Sequence, residues 1–570
     1  MRPPLSDVGL TQMHEWLEDC NTHHHDCQTR AGPAGAPTSD VPLPTRVLDV
    51  GTEAFSLPLR ILVANGMHGR YAALSHRWSS RPFTQLRSDS LEAFRRELPA
   101  VGLPDSFLDA IRVTRALGVQ YLWIDSLCIV QDDNEDWERE AGRMGAIYEN
   151  AYCTIAATRS VDGSPFIVSD IDRPQANLRW PQNTGGGHAD SPSDSQSDFW
   201  PYNDVLVQAL ELPCVDGRAE TGSFYFTRTT KPDHIRYISN AALNRRGWVV
   251  QERLLSRRIL HFAQDQMYWE CRSVARAQDG TVFRPGSMVG FTFPLASLTW
   301  QLGQQVREGQ AAGSPRLPAD EKFEQTWLSI VAQYTSCGLT LEKDRLPAIY
   351  GLASRLANFT DKEYIDGHWF RPAGGTLPAS LLWTPSRTRR TVPEQFRGPR
   401  WSWVVAEGEV TFQSAHSTTQ VSLLGYERAE RAGMPNFMTL RILGQLLEVS
   451  LRKGEDQGSQ RDVAEPPTHE VYPVFASGVP GLRPGMSIGN ITFDFADDIP
   501  AMIKCLYLFT DFSGYAIVLA LALEEVDSDG RWVYRRVGIG SLARGRGAMF
   551  SQQAGRDPLE HQMKKEITLV

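Results

Sequence analysis

The sequence predicts an α/β fold in its N-terminal half, with a mostly parallel sheet and flanking helices, followed by an α+β, strand-rich C-terminal region. Strand-like and helix-like segments alternate between residues 46 and 158, as they do in strand–helix–strand units. Residues 121–130 are apolar almost without interruption, which is typical of a strand covered on both faces. After a helical pattern at about 320–360, short β-like runs dominate.

The chain begins with a predicted helix at residues 11–20, followed by C20-NTHHHD-C27 and a linker rich in Pro, Gly and Ala. Cys20, His24 and Cys27 could ligate a metal ion. However, a fourth ligand is not evident and the spacing is not a standard zinc pattern. A packed helix–loop corner is the favoured interpretation, so no metal site and no cofactor are assigned.

The elements of the α/β half follow in order. Predicted strands lie at 46–51, 71–75, 121–130 and 153–158, and predicted helices at 104–118 and 134–151. In the first helix, Asp105 or Ser106 is the expected N-cap and Gly118 the stop signal. The residues expected to face inward in the second helix are Trp137, Ala141, Met144, Ile147 and Tyr148.

A length of 570 residues predicts two to four domains. The predicted units are an N-terminal helix and linker (1–44), an α/β domain (45–275) with a flexible insertion (177–199), and a C-terminal region (276–570). Smaller polar breaks occur at 309–319 and 453–468. In the C-terminal region, residues 506–540 predict a hairpin with D-S-D-G as its turn.

Composition excludes several classes of protein. A net charge of −9 with a pI near 5.9 disfavours electrostatic binding of nucleic acid, which needs clustered Lys and Arg. The eight cysteines are scattered and show no disulfide framework. No apolar signal region and no run long enough to span a membrane is visible. We therefore expect a cytoplasmic protein without nucleic-acid partners.

The first polar cluster, S75-HRWSS80, directly follows a predicted strand. Loops at the carboxyl ends of parallel strands are where open α/β sheets bind ligands. His76 offers an imidazole that can donate or accept a hydrogen bond, and Arg77 has a guanidinium that can clamp an anion. The alternative is a surface turn anchored by Trp78.

Two carboxylates interrupt the apolar pattern further along. Asp125 lies within a buried strand-like run, so it must be paired or must face a cleft at the strand's end. Glu140 shares a helix face with Trp137, but a surface glutamate paired with a neighbouring arginine is the favoured interpretation. Cys128 has no His at a supporting spacing, and a buried thiol is usually inert.

The stretch R245-RGWVVQERLL255 contains the most informative carboxylate. If it is helical, Trp248, Gln251, Glu252 and Leu255 lie on one face. Burial against an indole disfavours ionisation of Glu252, as in carboxylates prepared for acid–base or cation-stabilising roles. The alternative is a buried ion pair of Glu252 with Arg245, Arg246 or Arg253.

Taken together, three blocks resemble the fungal heterokaryon incompatibility (HET) domain. They are YAALSHRW, LPDSFLDAIRVTRALGVQYLWIDSLCIVQDDNEDWEREAGRMGAIYENAYCTIAA and RRGWVVQERLLSRRILHF…MYWEC, which span about 45–275. The resemblance implies a role in non-self recognition between fused hyphae that ends in regulated cell death. It also implies remote similarity to Toll/interleukin-receptor (TIR) domains, some of which hydrolyse NAD, and hence a TIR-like or flavodoxin-like sheet.

In TIR enzymes a Ser-containing loop follows the first strand, and the catalytic glutamate follows a tryptophan by four positions. Ser75 and the pair Trp248–Glu252 are similar to these elements. The resemblance thus implies Glu252 as the catalytic residue, with Ser75, His76, Arg77, Trp78, Asp125, Trp248 and Gln251 binding the substrate. It also implies NAD as a substrate rather than a cofactor, and self-association.

One loop departs from the family pattern. Typical members read S-Y-x-W-G, whereas this chain reads S75-H-R-W-S79. The loss of the glycine restricts the backbone where a ligand would approach, and His for Tyr changes the chemistry. Two alternatives therefore stay open: an enzyme repurposed for a small molecule of fungal secondary metabolism, and a non-catalytic interaction scaffold.

Overall fold

The computed structural model of the protein describes residues 7–28, 41–52, 58–167, 209–215, 221–227, 235–283, 317–386, 397–412, 420–431, 434–452, 468–473, 489–495, 498–500, 502–511, 515–527, 530–543 and 562–570. The predicted insertion at 177–199 lies outside these residues. The breaks predicted at 309–319 and 453–468 lie almost wholly outside them.

The α-helices are α1 (Asp7–His23), α2 (His25–Gln28), α3 (Leu91–Arg96), α4 (Asp105–Ala116), α5 (Asp125–Cys128), α6 (Asn134–Ala141), α7 (Met144–Asn150), α8 (Gly247–Leu255), α9 (Leu317–Thr335) and α10 (Pro347–Leu356). The strands up to residue 283 are β1 (Val41–Pro42), β2 (Arg46–Asp49), β3 (Arg60–Val63), β4 (His68–Gly69), β5 (Tyr71–Ser75), β6 (Tyr121–Trp123), β7 (Cys153–Ala156), β8 (Ala209–Val215), β9 (Thr221–Thr227), β10 (Arg258–Phe262), β11 (Met267–Cys271), β12 (Ala275–Ala277) and β13 (Val282–Phe283).

Within the described residues, nine strands form one mixed sheet in the order β13-β12-β11-β10-β7-β5-β6-β2-β3. Strand β5 is parallel to β6 and β7, and β7 is parallel to β10. The predicted α/β architecture is confirmed, but the prediction of a mostly parallel sheet is wrong. The strands added at both edges, β2–β3 and β11–β13, are antiparallel, because short connections join consecutive antiparallel strands whereas parallel ones need a crossover.

The elements around the parallel strands follow the sequence with local differences. The predicted strand at 121–130 stops at Trp123, because the Asp125 side chain accepts from the Ser126 amide and the chain turns into α5. The helix predicted at 134–151 is two helices, interrupted at Gly142. The N-cap of α4 is Pro104 without a side-chain hydrogen bond, so the predicted cap at Asp105 or Ser106 is wrong.

The core of this domain lies on both faces of the sheet. One face packs β5, β6 and β7 against α4, with Phe107 and Ile111 buried as the helical period predicts. Helix α1 covers the antiparallel edge, where Trp16 contacts Trp269 of β11. The other face packs α7 against β5, with Tyr148 buried between them.

The later strands are β14 (Glu363–Ile365), β15 (His368–Phe370), β16 (Trp383–Pro385), β17 (Val410–Phe412), β18 (Ser422–Arg431), β19 (Met434–Arg452), β20 (Thr468–Pro473), β21 (Gly489–Phe493), β22 (Met502–Thr510), β23 (Tyr515–Val526), β24 (Trp532–Ala543) and β25 (Lys564–Leu569). Strands β19, β20, β21, β24, β23 and β22 form a sheet that closes when β22 pairs with β19. The predicted strand-rich C-terminal region and the hairpin β23–β24 are confirmed.

Among the described helices, none combines the length and the apolar character that crossing a membrane requires.

Candidate active site

Helix α8 positions the carboxylate that the sequence singles out. The stretch 245–255 is helical from Gly247 onward: a 3₁₀ turn, Leu243–Arg245, and the extended Arg246 precede α8. The Gly247 amide donates to Gly338 O at 2.9 Å, which fixes the start of the helix. The helix packs against α7 and α10. The position of Glu252 is therefore set by the packing of α7, α8 and α10.

Three predicted residues converge at the carboxyl end of the parallel strands. Ser75 is the last residue of β5, Asp125 follows the end of β6, and Glu252 approaches from α8. The Ser75 hydroxyl donates to the Glu252 carboxylate. Asp125 and Glu252 lie near enough that their charges repel and raise the pKa of Glu252. This edge, next to the strand where the connections change direction, is where open α/β sheets bind ligands.

Asp125 is held by a fixed set of donors. His76 Nε2 lies 2.9 Å from Asp125 Oδ1, and Trp78 Nε1 donates to Oδ2 at 2.7 Å. Burial works to raise the pKa of Asp125, but His76, the Trp78 hydrogen bond and the nearby Arg246 together bring it below its ordinary value. The Asp125 side chain is 22% exposed while His76 is buried, so an ionised carboxylate lines the open side of the site.

Glu252 has a different environment. It is buried, and its Oε2 has no hydrogen-bond partner within the described part of the chain. Burial is the main cause that raises its pKa, to about 7, and the charge of Asp125 adds to it, whereas Ser75 and Arg246 oppose it. The carboxyl group therefore changes its charge near neutral pH, and one of its oxygens has no hydrogen-bond partner among the described residues.

Two further residues, Tyr148 and Arg246, contribute to the site without a signal in the sequence for this role. The Tyr148 hydroxyl donates to Leu74 O at 3.0 Å and lies within hydrogen-bonding distance of Glu252. Burial and the neighbouring carboxylates raise the pKa of Tyr148 well above its ordinary value, so it stays a neutral donor. Arg246 donates to His76 O at 2.6 Å. The helical period gave Tyr148 an inward direction, but nothing local indicated its partner.

The other predicted residues lie around this centre rather than in it. The Trp248 indole donates to Asp344 Oδ2 at 3.0 Å and contacts Trp137 edge-on. Gln251 is buried against Gly351 of α10. Arg77 contributes its carbonyl oxygen, which lies 3.1 Å from His76 Nδ1.

Two alternatives for nearby residues are decided by geometry. Arg253 pairs with Glu270 and not with Glu252, and none of the ion pairs among the described residues includes Glu252. Glu140 pairs with Arg139 and Arg143 as predicted, but it is buried rather than on the surface. Burial raises the pKa of the Cys128 thiol to about 12, in keeping with an inert cysteine.

A separate open cleft of about 460 Å³ lies at the opposite, amino end of β5, lined by Pro42, Thr45, Tyr71, Glu140 and Arg143 among others. Its one buried carboxylate, Glu140, is already paired. Glu252 Oε2, which has no hydrogen-bond partner among the described residues, lies at the carboxyl end instead. We therefore place the candidate active site at the carboxyl end.

The fold is an α/β domain, and its candidate ligand-binding site lies at the carboxyl ends of the parallel strands. A family model described as heterokaryon incompatibility protein (HET) matches residues 71–252. The matched segment begins with β5 and ends at Glu252, so it contains Ser75, Asp125 and Glu252. Neither a curated protein nor a solved structure matches the chain.

Proposed function

We propose that the HET domain of this chain is a nucleotide glycohydrolase that cleaves the nicotinamide–ribose bond of NAD. The observation that supports it most is the buried Glu252, whose free oxygen lies beside Ser75 at the carboxyl end of the sheet. A TIR-like arrangement would require this combination of a serine after the first parallel strand and a helical glutamate. The two residues are more than 170 positions apart in the sequence.

The chemistry needs little acid catalysis. The bond between the ribose C1′ and the nicotinamide nitrogen breaks with its electron pair leaving on nicotinamide, which departs as a neutral molecule. The positive charge passes to an oxocarbenium-like ribose, and water then adds to C1′ and releases a proton. A carboxylate next to C1′ stabilises that charge, as in glycoside hydrolysis.

Each residue of the centre has a defined task. Glu252 in its ionised form accepts hydrogen bonds from the ribose hydroxyls and faces the developing cation. The Ser75 hydroxyl fixes the carboxylate from one side, while the Tyr148 hydroxyl donates to Leu74 O close by. Arg246, which donates to His76 O, supplies positive charge for the pyrophosphate of the substrate. Trp78, 37% exposed, offers a ring for stacking a base.

The test is to incubate the full chain with NAD and to measure nicotinamide and ADP-ribose by chromatography. Wild type is expected to release both products, and Glu252→Gln to lower the rate at least about 100-fold, as loss of a charge-stabilising group does. Glu138→Gln is the matched control, because Glu138 is an exposed carboxylate outside the site. A folded wild-type chain that leaves NAD intact would refute the proposal, and a Glu252→Gln chain that no longer folds would favour a structural role for this carboxyl.

NAD consumption would connect this domain to the incompatibility reaction. A domain that depletes NAD on activation could carry out the regulated cell death that the family is associated with. Expression in a fungal host should then lower both the NAD pool and viability, and Glu252→Gln should restore both. Loss of viability with an unchanged NAD pool would separate the two effects and count against this role.

A further inference from the structure

A second group of chemically active side chains lies at the other end of the sheet. Cys20 is in the last turn of α1, His24 follows that helix, Cys27 is in α2, and Cys271 is the last residue of β11. One ligand atom from each of these four residues lies within 4.8 Å of the others. The three cysteines are buried, and the imidazole is 14% exposed.

The separation of these atoms fits one metal ion. A tetrahedral zinc with Zn–S near 2.3 Å and Zn–N near 2.0–2.1 Å holds its ligand atoms roughly 3.5–3.8 Å apart. His24 Nδ1 lies 3.3 Å from Cys271 Sγ. Three cysteines and one histidine form a donor set that structural zinc sites use.

The local fold brings the ligands of the N-terminal segment together. The His24 amide donates to Cys20 O at 3.3 Å, and the Cys27 amide donates to His24 O at 3.0 Å. These bonds turn the chain between α1 and α2, so Cys20, His24 and Cys27 point to one side. The fourth ligand comes from β11, far along the sequence, which explains why the sequence alone showed an incomplete set.

The surroundings are those of a metal site. His24 directs Nδ1 to the thiols, and its Nε2 lies 3.7 Å from the Asp19 carboxylate. A carboxylate near the outer nitrogen of a ligating histidine favours the imidazole orientation that turns the other nitrogen to the metal. The Arg258 guanidinium, itself buried, donates from Nε to Cys20 Sγ at 3.2 Å. A cation at this distance favours a thiolate-rich centre.

We propose that Cys20, His24, Cys27 and Cys271 bind one structural Zn²⁺, which fastens the N-terminal helices to strand β11. On binding, the thiols release their protons to solvent and the ion takes four protein ligands, leaving no open position for catalysis. The site lies outside the segment 71–252 and does not depend on the proposed glycohydrolase activity. It replaces the expectation that the chain has no metal site.

The first experiment uses the full wild-type chain, purified under reducing conditions without chelator. Elemental analysis is expected to give one zinc per chain. Replacement by Co²⁺ is expected to give thiolate-to-cobalt charge-transfer absorption and the visible bands of tetrahedral cobalt. Folded, reduced protein without zinc that gives no such spectrum with Co²⁺ would overturn the proposal. A disulfide within the cluster that persists under reducing agent would overturn it too.

Variants then assign the ligands. Cys27→Ser and His24→Ala should each lose the ion or bind it at least about 10-fold more weakly, whereas Cys337→Ser should retain it. Cys337 is the matched control, because it is a free cysteine outside the cluster. If the ligand variants fail to fold, the cobalt spectrum of the wild type still decides the matter. Equal zinc content in Cys27→Ser and wild type would overturn the assignment.

Discussion

Among the described residues of the α/β domain, Glu252 differs from the other buried carboxylates in having no cation at ion-pair distance. The paired carboxylates are Asp49 with Arg60, Asp109 with Arg112, Asp136 with Arg46, Glu140 with Arg143 and Glu270 with Arg253. A buried carboxyl without such a partner favours its neutral form. The raised pKa of Glu252 therefore follows from its placement, and it makes the stability of the protein depend on pH.

The expected effect of Glu252→Gln on stability follows from linkage. The pKa of Glu252 is about 7 in the folded protein and has an ordinary value of 4.5, so between these values the folded state binds more protons than the unfolded state. The wild type then loses stability as pH rises through this window. Relative to wild type, Glu252→Gln should gain up to roughly 3 kcal/mol between about pH 5 and pH 8. Urea unfolding at a series of pH values measures this difference.

The control for that measurement is Asp136, a buried carboxylate whose pKa is lowered instead of raised. Burial would raise the pKa of Asp136, but the hydrogen bonds of Arg46 and the Val130 amide bring it below the ordinary value of 3.8. Its contribution is lost only as pH falls to or below that value, so Asp136→Asn should differ from wild type by a constant amount between about pH 5 and pH 8. The size of that loss should be about 3–5 kcal/mol, because Arg46 stays buried without its partner. A constant difference for Glu252→Gln as well would contradict the raised pKa.

The sequence predicted the centre of the site where local rules were sufficient. Ser75 and Asp125 lie at strand ends, and the helical period placed Glu252 on an inward face. It could not predict the roles of Tyr148 and Arg246, because their partners Leu74, Glu252 and His76 come from other elements. The fourth cysteine of the N-terminal cluster was missed for the same reason.

At the scale of elements, the sheet was predicted where strands alternate with helices, and its edges were not. The apolar run at 121–130 satisfied a strand pattern along its whole length, but a hydrogen bond of Asp125 to the next amide starts α5 inside it. A short apolar run cannot show by its period where a strand gives way to a helical turn. Antiparallel edge strands such as β11 and β12 follow from short connections, and the alternation of strands with helices does not indicate them.

Helix α8 packs against α7 and α10, and these two helices also contact each other. A Cβ on Gly351 would lie 2.4 Å from Gln251 Oε1 and 2.9 Å from Gly145 Cα. Both helices approach closely because these two positions have no side chain. The amide of Gln251 fills the remaining space, without a hydrogen-bond partner within the described residues.

Gly351→Ala should therefore separate these helices and destabilise the protein by about 1–3 kcal/mol, as overpacking does. Gly142→Ala is the control, because Gly142 is exposed, has a helical φ of −62° and would place its Cβ no nearer than 3.5 Å to a neighbour. That variant should be neutral or more stable by up to about 1 kcal/mol. Thermal or urea unfolding of both variants makes the comparison, and equal stabilities would show that the crossing has room for a methyl group.

At the scale of the whole molecule, one buried arginine connects the closed C-terminal sheet to the segment that precedes it. Arg536 of β24 donates from Nε to Asp494 at 2.9 Å and from Nη1 to Leu381 O at 2.7 Å. Its guanidinium also lies 3.6 Å from the centre of the Trp383 ring. Removal of the arginine would leave the Asp494 carboxyl, the Leu381 carbonyl and the indole face without their common partner.

Arg536→Met should cost about 3–5 kcal/mol of unfolding free energy, because it leaves a carboxylate buried and unpaired. Replacing Asp494 by Leu in the same chain should recover part of that loss, since the isolated charge is then gone. Arg441 provides the control: its ion pairs with Glu427 and Glu566 lie in the same sheet but at the surface, with a side chain 32% exposed, so Arg441→Gln should cost less than about 1 kcal/mol. Urea unfolding of the wild type and the three variants measures how much the buried arginine contributes. If Arg536→Met is no less stable than Arg441→Gln, the C-terminal sheet is held by its apolar core alone, and the buried ion pair contributes nothing to joining it to the rest of the chain.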